Sequence, residues 1–454
     1  MYVCGPTVYD ESHIGHARSA YIFDVIRRYL EYRKFKVTFV RNVTDVDDKI
    51  IEKAKEVVSR QPSAFSLNAA TEEISERYLK SYHDDMKALG IGAPDNEPKA
   101  TKYILKMQKF IQVLIERDRA YVSNGDVYFD IRKAPGYGKL SNQSIDKMEI
   151  GARIASPEKK RDGLDFALWK SAKEGEPAWD SPWGKGRPGW HMECSAMSSD
   201  ILGDEFDIHG GGIDLIFPHH ENEIAQSEAA GKRFARYWMH NGLLTINGEK
   251  MAKSLGNYIT IKDFLRKYKD TDYLKLFFLS ALYKSPIDYT GPKIEEAKKE
   301  KGRFRILLEK IDRIVKGSKP KKITADAQHA ITKFEEAMDD DFNTPLALAS
   351  LFDLVTHVNK SIHAKDNFNG EEIGELTCAR ETLLELSKVF GLELSKEAHD
   401  KRIDKKDISK LIDERNKARQ AKDFKKADEI RRKLSDAGII LEDTKDGTEW
   451  RIKA

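Results

Sequence analysis

Residues 1–45, MYVCGPTVYDESHIGHARSAYIFDVIRRYLEYRKFKVTFVRNVTD, decide the fold class. Residues 1–4 are apolar and run into Gly5-Pro6-Thr7, which reads as a strand stopped by a turn. The run YIFDVIRRYLEYRKF then sets Ile22, Val25, Ile26 and Leu30 at helical spacing. KVTFVRNVTD reads as a second strand ending in Asn42, Thr44 and Asp45. Strand, helix and strand in this order form a βαβ unit, which implies a parallel sheet and an α/β domain. His13-Ile14-Gly15-His16 falls where the first strand hands over to its helix, the ligand edge of such sheets. Gly15 permits close approach of a ligand to the backbone, and the helix start offers amides to an anion. A tetrapeptide of this kind recurs by chance in many chains, so it needs company.

The company is at 190–223, WHMECSAMSSDILGDEFDIHGGGIDLIFPHHENE. His191, His209, His219 and His220 lie in it, and His240 follows closely. Ile224-Ala225 and Ala229-Ala230 suggest a helix, and the four-residue spacing of His219 and Glu223 puts an imidazole and a carboxylate on one of its faces. Cys194 could add a thiolate from a neighbouring loop. All three are established zinc ligand types, with a fourth ligand required from elsewhere; the bland alternative is a polar loop end. Gly210-Gly211-Gly212 costs backbone entropy, so a nucleotide pressed against this loop is one reading and a plain sheet-to-helix turn the other.

The chain has 454 residues, enough for two to four cores. It is 40% hydrophobic and 34% charged, a composition that excludes global disorder. A net charge of only +3 gives no global field demanding a polyanion. Three cysteines, Cys4, Cys194 and Cys378, are too few for a disulfide framework and fit a reducing, cytoplasmic compartment. No apolar run is long enough to span a membrane, and no signal-peptide pattern opens the chain.

Helical runs are expected at 47–60, 64–89 and 99–117, and residues 119–185 change to short alternating runs, an insertion between two halves of the sheet domain. In WMHNGLLTINGEKMAKSLGNYITIKDFLRKY, Gly242, Gly248 and Gly256 bracket a polar loop bearing Lys250 and Lys253. Two lysines three apart can converge on phosphates; a solvated surface loop is the alternative. Helices are expected at 272–283, 291–316, 323–337 and 371–390, with another in NTPLALASLFDLVTHVNKSIH and linkers at Lys316–Lys322 and about 392–402. Residues 401–434 hold fourteen Lys/Arg against seven Asp/Glu, a local charge of +7, and two short strands follow. Such a segment could touch a polyanion or be a solvated face.

Taken together, Cys4-Gly5-Pro6-Thr7-Val8-Tyr9-Asp10, His13–His16, Thr44–Asp48, 187–223 and Lys250–Asn257 make the chain resemble the cysteinyl-tRNA synthetases over essentially its whole length. The first signature of class I aminoacyl-tRNA synthetases, His-Ile-Gly-His, stands in full at 13–16. The second, Lys-Met-Ser-Lys-Ser, stands as Lys250-Met251-Ala252-Lys253-Ser254, so Ala252 lacks a hydroxyl that could steady the loop. Members of the family carry a lead-in before the first cysteine motif that is not in this sequence; either the first strand stands without that support or the native chain is longer.

The resemblance implies a Rossmann-like parallel-sheet catalytic domain with an insertion, followed by a helical bundle and a small mixed C-terminal domain. The expected divisions are 1–118 and 186–245 for the two catalytic halves, 119–185 for the insertion and 246–290 for the signature-loop and stem-contact region. Residues 291–395 then form a tRNA-binding bundle, and 396–454 a basic tRNA-binding unit. By the same resemblance Cys4, Cys194, His219 and Glu223 hold one Zn²⁺ that selects the substrate thiolate. His13, His16, Lys250 and Lys253 serve catalysis. Gly5, His191, His209, Gly211, Asp214 and His220, again with Lys253, surround the nucleotide, and Thr44 and Trp190 the amino acid. The implied reaction activates L-cysteine with ATP and Mg²⁺ to cysteinyl-adenylate and transfers it to tRNA-Cys, in a monomer with no membrane partner. A ligase joining cysteine to an amino sugar would share these motifs, but a small acceptor gives no reason for residues 291–454. A non-catalytic RNA-binding paralogue has no reason to keep both lysines and all four metal ligands.

Overall fold

The computed structural model describes residues 1–60, 66–144, 160–315, 323–365, 367–394, 405–421, 423–436, 439–444 and 447–452. The Lys316–Lys322 linker and most of the linker expected at 392–402 lie outside them.

β1 (Tyr2–Val3) leads to α1 (Ile14–Tyr32) and β2 (Val40–Arg41), which pairs parallel with β1. The helix begins seven residues before the expected Tyr21 because His13 caps it: its Nδ1 accepts from the amides of Gly15 at 3.0 Å and His16 at 3.3 Å. α1 is buried on two sides. Ile22, Phe23 and Ile26 pack on Val3 and Phe39 of the sheet, while Tyr21, Val25 and Tyr29 join the larger core shared with the later helices. α2 (Asp48–Arg60), α3 (Leu67–Ala88) and α4 (Ile104–Glu116) follow.

An antiparallel sheet comes next, β3 (Ala120–Ser123), β4 (Asp126–Phe129), β5 (Phe166–Ser171) and β6 (Gly186–Pro188), in that order. Its fourth strand lies just beyond residue 185. Lys170 to Asp48 at 2.8 Å and Lys55 to Glu176 at 2.9 Å, with an Arg187–Asp48 pair, tie this sheet to α2.

α5 (Trp190–Leu202) returns the chain to β7 (Glu205–Gly212), and α6 (Glu221–Ala229) leads on to β8 (Phe234–Asn241). The catalytic sheet has the order β2-β1-β7-β8, all parallel, with Tyr2 opposite both Val40 and His209. The chain reverses its direction of winding between β1 and β7, the place where such sheets open a crevice at their C-terminal edge. Gly210–Gly212 end β7 and do not form a loop. The reason is packing: a Cβ on Gly210 would come within 2.3 Å of the edge of the Phe23 ring, which is itself fully buried. Gly210→Ala is therefore expected to lose about 1–3 kcal/mol of stability through overpacking, read by denaturant unfolding.

β9 (Leu244–Ile246), β10 (Glu249–Lys250), α7 (Ile261–Tyr268), α8 (Thr271–Leu279) and β11 (Ile287–Tyr289) carry the second signature. Arg18 of α1 braces this region from within: it is fully buried and donates to the carbonyls of Gly242 and Leu243, both at 2.8 Å, and of Ser285 at 2.6 Å. The bundle is α9 (Gly291–Val315), α10 (Ala325–Asp339), α11 (Thr344–His363) and α12 (Gly370–Val389). Last come α13 (Lys405–Gln420), α14 (Phe424–Asp436) and the hairpin β12 (Ile439–Thr444) and β13 (Gly447–Ile452), with Ile408, Ile412, Ile430, Leu434 and Ile439 as their own core. No helix among the described residues is long and apolar enough to cross a membrane.

Candidate active site and metal centre

Four elements meet at the C-terminal edge of β1 and β7. Cys4 follows β1 directly. Cys194 comes from the first half of α5, so it sits on a helix rather than the expected loop. His219 lies near the end of the turn Ile216–His220, and Glu223 stands one helical turn on, in α6. Their spacing works as the sequence implies: His219 Nε2 is 3.0 Å from Glu223 Oε1. Cys4 Sγ is 3.8 Å from Cys194 Sγ and 3.8 Å from Glu223 Oε1.

One donor atom from each of the four lies within 4.8 Å of the others. Two Zn–S bonds of ~2.3 Å at a tetrahedral angle span about 3.8 Å, so the sulfur separation suits a shared tetrahedral ion. The charges agree. Burial alone would make both Glu223 and His219 neutral, yet His209 and His219 hold the Glu223 carboxyl well below its usual range, and Glu223 lifts His219 to about 10. Burial pushes the Cys4 thiol well up, whereas contact with Cys4 and the charge of His219 bring Cys194 down to about 6 against its burial. A buried proton held between a carboxylate and a thiolate is what a divalent cation displaces. The donor set fits zinc.

A second set of four shares Cys4 and Glu223 but uses His209 and His220. Those two histidines, expected at the nucleotide, lie fully buried behind the cluster. His209 Nε2 is 2.7 Å from Glu223 Oε2, and its ring stacks on Trp238 at 4.5 Å. His220 Nε2 is 3.3 Å from Cys4 Sγ, and its Nδ1 is 2.8 Å from His240 Nε2. Neither leaves a face for a nucleotide, because the sheet and Trp238 close around them. Their ring nitrogens contact Glu223 and Cys4, so both line the cluster on its buried side. His191 is nearer the opening, its Nδ1 2.8 Å from His219 Nδ1. Trp190, partly exposed, stacks on His219 at 4.2 Å, and Thr44 donates to the buried Glu193 at 2.7 Å. A Cβ on Gly5 would overlap the Asn42 carbonyl, so close chain crossing already requires glycine there.

The signatures meet at the start of α1. The His13 and His16 rings stack at 3.7 Å, and burial, with the neighbouring His16, lowers His13 to about 3. Ile14 N donates to Ile259 O at 3.1 Å, and His13 meets Tyr258 edge-on at 5.3 Å. Lys253 is paired with Asp10 and lies 5.1 Å over the Tyr258 ring. Lys250 is exposed on β10. Asn257 steadies the backbone of this loop: its Oδ1 accepts from Ala252 N at 2.8 Å and its Nδ2 donates to Lys250 O at 3.1 Å. Asp214, exposed, and Gly211 border the same crevice, Gly211 against the His220 ring. Asp10, Asn42, Glu193 and Asn257 are site residues that sequence reasoning misses. Asp10 and Asn257 stand inside the signature stretches; Glu193 and Asn42 carry no spacing signal.

Comparison with known proteins agrees along the whole chain. The description "tRNA synthetases class I (C) catalytic domain" matches residues 1–299, "DALR domain" matches 333–395 and "Cysteinyl-tRNA ligase anticodon binding domain" matches 405–451. The cysteine–tRNA ligase of Coxiella burnetii (strain Dugway 5J108-111) is 48% identical over 458 residues, covering 99% of this chain and 94% of that one. That of Geobacter sulfurreducens is 48% identical over 472 residues, with 100% and 95% covered. Among solved structures, a Mycobacterium tuberculosis methionyl-tRNA synthetase with methionyl-adenylate superposes with a TM-score of 0.62 at 14% identity, covering 86% of this chain and 89% of that one, which is a likeness of fold. With its sheet, crevice and both signatures in their expected order, the chain belongs to the cysteine–tRNA ligases of class I.

Proposed function

We propose that this enzyme activates L-cysteine with ATP and charges tRNA-Cys, with a Cys4–Cys194–His219–Glu223 zinc centre selecting the amino acid. The observation that carries this reading is the meeting, on one sheet edge, of a two-cysteine donor cluster with the stacked His13–His16 pair and the Lys253 loop. When bound, zinc supplies a soft Lewis acid that favours a deprotonated thiol over a hydroxyl. Trp190 and Thr44 flank the amino acid, Thr44 fixed through Glu193. The cysteine carboxylate attacks the α-phosphorus of ATP with pyrophosphate as the leaving group; Mg²⁺ would accompany the ATP phosphates. A hydroxyl of the terminal ribose of tRNA then attacks the activated carbonyl, taking the cysteinyl group and releasing AMP. Little proton transfer is needed, so these residues act by positioning and by meeting phosphate charge. His13 and His16 face the nucleotide from the helix start, neutral as burial of His13 favours. Lys250 and Lys253 neutralise the leaving phosphates, with His191, Gly211 and Asp214 around the nucleotide.

The bundle at 291–395 and the basic unit at 396–454 are read as the tRNA-binding parts, 1–118 and 186–245 as the catalytic halves, 119–185 as the insertion and 246–290 as the signature-loop and stem-contact region. Three free cysteines and the lack of a spanning helix among the described residues support a cytoplasmic setting, and the enzyme is read as a monomer. The test separates the two halves of the reaction. The full chain should perform cysteine-dependent pyrophosphate exchange and charge a tRNA-Cys transcript. Removing 396–454 should leave exchange intact, weaken tRNA binding and flatten its salt dependence by ~0.7–0.9 in slope for each phosphate no longer neutralised. Unchanged tRNA affinity and slope would return that unit to a solvated role.

A further inference from the structure

Asp10 holds two lysines at once. Its Oδ2 pairs with Lys253 of the second signature, while its Oδ1 accepts from Glu11 N at 2.8 Å and lies 3.4 Å from Lys53 Nζ. The two cations are held differently. Lys253 stands on a loop, with 58% of its side chain exposed. Lys53 projects from α2 with 29% exposed, and its ammonium lies 4.8 Å over the ring of Tyr78 on α3. An ammonium seated on an aromatic face beside a carboxylate is a fixed charge. One on an open loop, at the end of a flexible stem, can change partner.

The activation step gives this arrangement a use. Lys253 must leave Asp10 to meet the phosphates of ATP. Asp10 is only 18% exposed, so a carboxylate left there without a cation would have little water to replace it. Lys53 remains beside it and removes that penalty. Before ATP arrives, the like charge of Lys53 also loosens the grip of Asp10 on Lys253, since the two ammoniums share one carboxylate. Without Lys53, Asp10 would compete with the triphosphate for its only strong partner.

We propose that Lys53 is a positioning residue of the activation step: it keeps the Asp10 carboxylate paired and so releases Lys253 to the ATP phosphates. This rests on the phosphate role given to Lys253 above. The test measures cysteine-dependent pyrophosphate exchange at varied ATP on the full chain, Lys53→Met, Asp10→Asn and the double variant, with Lys53→Arg and Lys253→Ala alongside. Lys53→Met keeps an apolar stem against Tyr78 and should lower kcat/KM for ATP about fivefold, leaving KM for cysteine unmoved. In the Asp10→Asn background the same substitution should have no effect, because the carboxylate through which it acts is gone. Lys53→Arg keeps the charge and should retain most of the rate. An unaltered kcat/KM in Lys53→Met overturns the proposal, and so does a full loss in Lys53→Arg. An equal fall in both backgrounds overturns it too, by giving Lys53 a direct part in attracting ATP or in holding the fold. Near-normal exchange in Lys253→Ala would remove the phosphate role and this proposal with it. A large loss there beside an inert Lys53 removes this proposal alone.

Discussion

Cys194→Ser should empty the purified enzyme of zinc and abolish most of its preference for cysteine over serine. The two substrates differ by one atom. A pocket that reads only shape separates near-isosteres by about 10–200-fold, whereas a site that must bond the distinguishing atom reaches about 10⁴–10⁵. A zinc ion held by Cys4, Cys194, His219 and Glu223, as proposed, would offer that second kind of recognition, since sulfur is a far better ligand than a hydroxyl for a soft site. Losing Cys194 should move the ratio of kcat/KM values from the upper range to the lower, with kcat/KM for cysteine falling most. The substitution also decides between the two donor sets, because the one built on His209 and His220 does not contain Cys194. Retained stoichiometric zinc in Cys194→Ser would assign the ion to that other set. In the unaltered enzyme, X-ray absorption at the zinc edge should gain a sulfur neighbour near ~2.3 Å on adding cysteine. An unchanged zinc environment at saturating cysteine would defeat substrate ligation even with the metal present.

What could be read in advance followed from local periodicity. The βαβ opening, the insertion's alternating runs and the bundle helices each bury a face whose spacing is written in a few consecutive residues. The start of α1 was not legible, because its cap is a histidine where serine, threonine or aspartate is the usual signal. The glycine triplet misled for a related reason. Entropic cost marks glycine as required without saying by what, and at Gly210 the requirement is the ring of Phe23, far earlier in the chain.

The histidines show the same limit at the site. His219 and Glu223 share a helical period, so their pairing was visible. His209 lies on a strand and meets Glu223 only because β7 ends beside α6. Nothing in the spacing could say whether it faced nucleotide or metal. Cys4 and Cys194, 190 residues apart, become neighbours through the order in which the strands pair, which no local pattern encodes. For the distal part, the bare charge of 401–434 left open a solvated face. The anticodon-binding description matched over 405–451 is what weighs against a small acceptor.

Lys253→Ala is expected to depress cysteine-dependent pyrophosphate exchange by about two to three orders of magnitude while the fold survives. The side chain is more than half exposed and its carboxylate partner is Asp10, three residues before His13. It thus waits at the mouth of the crevice, on a loop that Asn257 keeps in shape and whose Met251 packs toward Gly15. A triphosphate brings more negative charge than one carboxylate, so the ammonium should transfer from Asp10 to the leaving phosphates as ATP binds. Donors aimed at charge that develops in the transition state are worth about 2.7–4 kcal/mol each, which sets the expected loss. The ion pair itself is a poor candidate for so large an effect, since exposed pairs contribute ~0–1 kcal/mol. Asp10→Asn removes that pair and keeps the lysine, and should change exchange by less than about tenfold. Lys253→Arg keeps the charge but not the compact ammonium, and should recover only part of the rate. Near-normal exchange in Lys253→Ala would sink the phosphate role. An equal loss in Asp10→Asn would sink it too, by showing that the pairing matters for holding the loop and not for the chemistry.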